Sequence, residues 1–350
     1  MKIVHITAGG GHGGTWAQFE RLVAGLHGAG VGQRVIAAAD NTHAARLRAC
    51  GVETVALDLP GTFAFLDRRK LNAELKRYTP DLVLSWQPAA SALVEPGGYV
   101  HVGRAPLAFD VIRLATCNVL LAPSQSRADA AVAAGWAADK VHVLPHLPPP
   151  APEAPVVPVD RKSTYTPATA RLVFTAARLV DSKGLADLFA AMARLSGLYL
   201  WVAGDGADRA ALEEKAYTLG IKPRVRFLGW QQDLRPYFAA ADVFVYPARQ
   251  EDLGDMVVEA WAAGTPVVAA DSLGPGLLIR HRENGLLVPV GDVQGLADAI
   301  RFLLVDQAAA KAMAAAGRAA YEAAFTPEAL LRRYLDLFQA LLARPAPAAP

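Results

Sequence analysis

Short apolar runs alternate with amphipathic stretches along most of the chain. Residues 2–6 (KIVHI) form an apolar run of strand length, and a glycine-rich turn follows at once. Residues 17–30 (AQFERLVAGLHGAG) have helical spacing and end in glycine, and 33–39 (QRVIAAA) read as the next strand. Strand, turn, helix, strand is the opening of a doubly wound α/β domain. Further strands are predicted at VETVAL (52–57), DLVLSW (81–86) and VLLAPS (119–124), with a helix at DRRKLNAELKRY (67–78). Prolines then break the pattern over 144–167, since they suit neither a helix interior nor a central strand. The pattern restarts beyond them. RLVFTAARL (171–179), LYLWVAG (198–204), VRFLG (225–229), DVFVYP (242–247) and PVVAA (266–270) read as strands, and 185–195 and 207–220 as helices.

This organisation predicts an N-terminal Rossmann-like domain over 1–150, a proline-rich linker over 151–168 and a second Rossmann-like domain over 169–326. A helix over 327–343 is expected to pack back on the first domain, and the tail 344–350 to be disordered. Two such domains suggest facing sheets across a cleft, with ligands beyond the carboxyl ends of the strands.

Composition supports this picture. A chain of 350 residues, 53% hydrophobic and 19% charged, is globular and too long for one ordinary core. Its net charge of +2 gives no reason to expect nucleic acid as a partner. Residues 1–150 hold 14 basic and 11 acidic residues, against 21 and 22 in the remainder, and seven of the eight histidines. The two domains are thus expected to meet different partners. Cys50 and Cys117 form no C-x-x-C pair and fit a reducing, cytoplasmic compartment. No signal-peptide pattern opens the chain, and no run of about 18 apolar residues suggests a membrane span.

The candidate chemistry stands at strand ends. GGGHGG (9–14) follows the first strand and lets a ligand approach the backbone at a helix N-terminus; a plain tight turn needs the same residues. ARLVDSKG (177–184) puts Arg178 and Lys183 beyond a buried strand, where the two cations suit a diphosphate or form a solvated loop. Gly204, Asp205 and Gly206 make a turn after the next strand, and Trp230 follows VRFLG, where it either meets a nucleobase or packs. In RQEDLGDMVVEAW (249–261), Glu251 lies in a loop, Gly254 permits a turn, and Asp255 opens a helix with Glu259 one turn in. The helix N-terminus suits an anion and each glutamate can accept paired hydroxyls. Dipole complementation explains Asp255 but not Glu251, which precedes the helix.

The motifs of residues 171–298, ARLVDSKGLADLFAAMA, LYLWVAGDGADRAALEEKA, VRFLGWQQDLRPYFAAADVFVYPARQED, GDMVVEAWAAGTPVVAADSLGPGLLI and ENGLLVPVGD, resemble the donor half of a family 4 glycosyltransferase of the GT-B fold. The E-x7-E element is Glu251 and Glu259. EAWAAGTPVVAADSLGP is most similar to bacterial lipopolysaccharide-core members. The resemblance implies a retaining, metal-independent hexosyltransferase with no cofactor beyond its substrate, a UDP- or GDP-sugar. In it Arg178 and Lys183 would neutralise the diphosphate, Glu259 would bind the ribose and Glu251 a sugar hydroxyl. The backbone amides of Leu253, Gly254, Asp255, Met256 and Val257 would hold sugar and phosphate. Gly13 and Gly14 would approach the phosphate from the other domain. Gly204 and Asp205 would line the donor site, and Trp230 would lie against the base. His101 is the equivalent of a family histidine in the acceptor half, and Ser85, Trp86 and Gln87 would face the acceptor.

The chain departs from the family where Asp252, Leu253 and Gly254 replace the usual Gly-Phe-Gly, and Asp255 adds an acid near the expected phosphate. Residues 62–78 carry five cations, two acids and Phe63, Phe65, Leu71 and Leu75, a composition that suits an anionic membrane surface or a solvated helix face. The expected partners are a nucleotide-sugar donor, a glycan or lipid-linked glycan acceptor and that membrane surface, at the inner face of the plasma membrane. Other enzymes of this fold, such as a nucleotide-sugar epimerase, and an inactive binding protein are the competing readings.

Overall fold

The computed structural model describes residues 1–9, 14–59, 64–106, 112–150 and 154–343. The chain divides into two compact units, residues 1–150 with 327–350, and residues 151–326. Each is built on a parallel sheet. The first has seven strands: β1 (Lys2–Ile6), β2 (Gly32–Ala37), β3 (Glu53–Ala56), β4 (Leu82–Ser85), β5 (Val100–Arg104), β6 (Val119–Ala122) and β7 (Val141–Val143), in the order β3-β2-β1-β4-β5-β6-β7. The second has six: β8 (Arg171–Ala176), β9 (Leu198–Ala203), β10 (Val225–Gly229), β11 (Val243–Tyr246), β12 (Val267–Ala270) and β13 (Leu286–Val288), in the order β10-β9-β8-β11-β12-β13.

In each sheet the strand order reverses between two neighbours, β1 with β4 and β8 with β11. The loops leaving such a pair turn to opposite faces and open a crevice at the carboxyl ends. Parallel strands of this kind are buried on both faces. On β8, Leu172, Phe174 and Ala176 enter one apolar cluster while Val173 enters the other. Burying a side chain such as Phe174 stabilises the sheet by about 1.5–3 kcal/mol.

The strands β5, β7 and β13 were not legible in the sequence: β5 is interrupted by His101 and Gly103, and β7 and β13 have three residues each. The helix Pro327–Ala343 completes the first unit. Its Leu330, Tyr334, Phe338 and Leu341 are buried with Phe19, Leu22 and Leu26. Tyr334 Oη also accepts from Gln18 Nε2 at 3.2 Å.

The proline-rich stretch needs a correction, because its second half is not an extended linker. Residues Arg161–Thr164 form a 3-10 turn. The Arg161 guanidinium donates to the carbonyls of Ala170 and Ala240, each at 2.6 Å, and to Asp242 at 3.1 Å. Trp201 Nε1 donates to the buried Thr166 Oγ1 at 2.9 Å. These are core contacts of the second unit, made by residues that proline content alone marks as connecting chain.

His5 and His101 are the most deeply buried histidines of the first unit among the described residues. His5 Nε2 lies 2.9 Å from Gln33 Oε1, and its Nδ1 accepts from Trp86 Nε1 at 3.3 Å. His101 Nδ1 lies 3.0 Å from the Thr116 carbonyl, and its Nε2 lies 2.9 Å from Ser85 Oγ. Burial lowers both imidazoles from 6.5 to about 4. In the unfolded chain each titrates near 6.5, so as pH falls from 6.5 towards 4 the unfolded state takes up the proton first and stability is lost. The loss approaches ~3 kcal/mol per histidine. Urea denaturation followed by hydrogen exchange tests this. The midpoint reported by β1 and β5 should fall between pH 7 and pH 5, while that reported by β8 and β11 holds.

Candidate functional site

In the second unit the crevice between β8 and β11 brings together two loops that are distant in sequence. One runs from Ala177 to Gly184 and the other from Pro247 to Gly254. They touch through backbone. Gly184 has φ +64°, and a Cβ there would run into the Pro247 carbonyl, so the position requires glycine twice over. The amides of Arg249 and Gln250 both donate to the Ser182 carbonyl, at 2.9 and 3.1 Å. The Arg249 guanidinium grips Asp187 with two bonds of 2.8 Å and reaches Asp181 at 3.0 Å. A forked pair of this kind fixes orientation as well as distance.

The turn after β9 braces the first loop from the other side. Gly204 has φ +123°, and a Cβ would meet the Ala177 carbonyl oxygen. The Leu179 amide donates to the Asp205 carbonyl at 2.9 Å. Glycine at 204 is thus demanded by the neighbouring backbone, and the Asp205 side chain is largely exposed. Together these contacts set Arg178 beyond the end of β8.

The two cations are held differently. Arg178 is exposed, and no acid pairs with it among the described residues. Lys183 Nζ sits 2.6 Å from Glu251 Oε2. The same oxygen accepts from the Tyr246 hydroxyl at 2.5 Å, while Oε1 accepts from the amides of Leu253 at 3.0 Å and Gly254 at 3.4 Å. Burial alone would raise the Glu251 carboxyl. The charge of Lys183 and hydrogen bonds from Lys183, Tyr246 and Leu253 outweigh it and hold the group below the usual carboxylate range. Burial, and then the Glu251 charge, pushes the Tyr246 phenol well above its usual value, so it stays protonated and donates.

The helix Asp255–Ala262 begins at this point, with Gly254 as its N-cap at φ +75°. Of the five amides expected to meet a ligand, three are committed within the chain. Those of Leu253 and Gly254 serve Glu251, and that of Val257 donates to the Gly254 carbonyl at 2.9 Å. The expectation that all five face the ligand is corrected accordingly. The amide of Met256 has no partner among the described residues. Asp255 is the first helical residue and its charge bears on Tyr246. Glu259, one turn in and partly buried, bears on Arg235, whose guanidinium is held first by Asp233. Trp230, following β10, is 58% exposed, whereas Trp201 and Trp261 are fully buried.

In the first unit the loops after β1 and β4 meet as the strand order requires. The Ala8 amide donates to Gln87 Oε1 at 2.8 Å. Gly14 opens the helix Gly14–Gly28, and Gly13 lies outside the described residues. His101 is corrected from a catalytic candidate to a core residue: its ring is 2% exposed and both nitrogens are satisfied inside the unit. Ser85 and Trp86 are also buried, Ser85 Oγ lying 2.7 Å from Ser91 Oγ, so neither faces an acceptor; Gln87 is partly exposed. Sequence reasoning missed Arg104 at the end of β5. Its guanidinium lies 4.6 Å from the Trp86 ring centroid and 3.0 Å from His146 Nε2. It missed Tyr246 as well, which reads as an ordinary strand residue. Among the described residues no group of three or more His, Cys, Asp or Glu has metal-ligating geometry.

Comparison with known proteins places this arrangement. Residues 157–320 match the model of the family described as glycosyl transferases group 1. The chain is 35% identical to the lipopolysaccharide core biosynthesis glycosyltransferase LpsE of Rhizobium meliloti, over 96% of this chain and 98% of that protein. It is 32% identical to LpsD of the same organism, over 97% and 98%. The crystal structure of Anabaena HepE in complex with UDP superposes with a TM-score of 0.82 at 20% identity, covering 97% of this chain and all of that one, a likeness in fold. Two parallel sheets with alternating helices, matched over their whole length to such structures, are the GT-B fold. The chain belongs to the group 1 glycosyl transferases.

Proposed function

We propose that this protein moves a hexose from a UDP- or GDP-sugar to a sugar hydroxyl of lipopolysaccharide core or a related surface glycan, retaining anomeric configuration and using no metal ion. One observation supports this above the others: the loop after β8 carries Arg178, whose charge bears on Tyr246, and Lys183, which meets Glu251 in the loop that leads into the helix bearing Glu259. A glycosyl transfer must stabilise negative charge on a departing diphosphate. Arg178 offers an exposed guanidinium. Lys183 has three hydrogens, of which one on Glu251 leaves two for phosphate oxygens. The Met256 amide at the helix start adds a donor in the field of the helix.

The glutamates divide the hydroxyls. Glu259 takes those of the ribose. Glu251 takes one from the sugar at Oε1, where the Gly254 contact of 3.4 Å is the weakest of its four and yields first. Trp230 offers its open face to the base. The leaving phosphate oxygen takes the acceptor proton. Similar proteins support the substrate classes: HepE was solved with UDP-glucose, and a protein of Mycobacterium tuberculosis 34% identical over 47% of this chain is a GDP-mannose-dependent mannosyltransferase. LpsE and LpsD are named for lipopolysaccharide core synthesis.

The acceptor is read on the first unit and the membrane beside it. In the helix Ala64–Tyr78, Leu71 and Leu75 are buried in the core, so they are not the membrane-facing residues that composition suggests. Thr62 and Phe63 lie outside the described residues, as does the side chain of Phe65. Arg68, Arg69, Lys70, Lys76 and Arg77 are exposed, and Arg68, Arg69, Asn72, Lys76 and Glu95 line a shallow surface cavity. Among the described residues no helix is long and apolar enough to cross a membrane. An exposed basic face favours surface attachment through charge.

Thermal denaturation against UDP-, GDP- and ADP-sugars should single out the donor, since a ligand at about 100 Kd stabilises by roughly 2.7 kcal/mol. Glu259→Ala should weaken nucleotide binding at least about tenfold by calorimetry. Full nucleoside-diphosphate affinity in that variant contradicts the ribose role. Glu251→Ala should abolish transfer while nucleotide binding survives. Binding to anionic liposomes should fall when Arg68, Arg69 and Lys70 are replaced by Glu, and unchanged pelleting would sink the membrane reading.

A further inference from the structure

Four partners hold the Glu251 carboxylate, and they differ in how firmly each is itself held. Lys183 ends a 3-10 turn, and Leu253 and Gly254 belong to the same loop as Glu251. Tyr246 is the exception. It is the last residue of β11, is 4% exposed, and its ring stacks on Phe244 at 6.1 Å between centroids. Of the partners of this carboxylate among the described residues, it alone is borne on a strand. Lys183 Nζ also stands 6.0 Å from the Tyr246 ring centroid, so the ring limits where the ammonium rests.

We infer that Tyr246 is a positioning residue for the transfer: its hydroxyl orients the Glu251 carboxylate, and through it the Lys183 ammonium, toward the donor diphosphate. The inference rests on the proposed donor site. A loop carboxylate with a single long cationic partner can swing with that partner. A second bond to the same oxygen, from a group locked in the sheet, removes that freedom and refers both loops to one rigid element. Tyr246 touches no reacting atom in this scheme and acts only through Glu251 and Lys183. Its hydroxyl stays a donor because burial and the neighbouring carboxylate oppose its ionisation. The expected trace is in catalysis rather than in affinity, since a misplaced Lys183 still attracts the diphosphate but meets its developing charge less well.

Tyr246→Phe removes one oxygen and keeps the ring on Phe244. With the donor singled out by thermal denaturation, release of nucleoside diphosphate should show kcat down about tenfold with KM within about twofold. The acid limb of kcat/KM should move to higher pH, because Glu251 loses a donor that favours its charged form. In a Lys183→Ala background the same substitution should change kcat by less than about twofold, since no ammonium remains to be aimed. An unchanged kcat and acid limb, or an equal loss in the Lys183→Ala background, overturns the inference. So does loss of the folded state in Tyr246→Phe by circular dichroism, which would make the hydroxyl a structural requirement. A wild-type protein that neither binds nor turns over any nucleotide sugar overturns the functional reading itself, and this inference with it. Normal donor turnover in the wild type, with an indifferent Phe variant, overturns this inference alone.

Discussion

A carboxylate withdrawn from water must find opposite charge and hydrogen bonds, and at Glu251 that requirement organises the second unit. Its side chain is 12% exposed and that of Lys183 14%. Breaking such a pair by removing one member leaves an uncompensated charge, at a cost of about 3–5 kcal/mol when burial is complete. The two residues are 68 positions apart and meet because β8 and β11 are neighbours where the strand order reverses. Gly184 admits the Pro247 carbonyl, Ser182 takes two amides from the opposite loop, and Arg249 ties Asp181 to Asp187. The first two fix backbone to backbone, and the third clasps the loops through side chains. The ion pair is the result.

That pairing also separates two cations that look alike in sequence. Arg178 and Lys183 both follow a buried strand, and both suit a phosphate. Only the structure shows that one is open and the other shared with an acid. A shared ammonium arrives already oriented, at the cost of part of its charge. An open guanidinium keeps its full charge and its forked geometry. The proposed site thus combines one oriented and one adaptable cation.

The alternation of apolar runs with amphipathic stretches made both Rossmann-like sheets legible, and the spacing of Glu251 and Glu259 around a helix start pointed to the proposed donor site. What failed has physical causes. β5 was hidden because His101 and Gly103 interrupt its apolar run, and with it Arg104 at the strand end went unseen. His101 looked available because a sequence does not show that Thr116 and Ser85 hold both nitrogens. The helix amides looked free because their use by Glu251 and Gly254 depends on a turn only coordinates reveal. Leu71 and Leu75 suggested membrane contact, yet helical spacing cannot say which side of an amphipathic helix the core claims first.

The helix Pro327–Ala343 belongs to the first unit although the whole of the second unit precedes it in the chain. The second unit is in effect an insertion, and all its strands and helices have been translated by residue 326. The first unit is different. Leu330, Tyr334, Phe338 and Leu341 supply one wall of its core, and all four follow the second unit in the chain. During synthesis Phe19, Leu22 and Leu26 lack these four partners until the second unit has been made. The chain therefore closes its core in the reverse of the order in which it began, and the domain made first is the domain finished last.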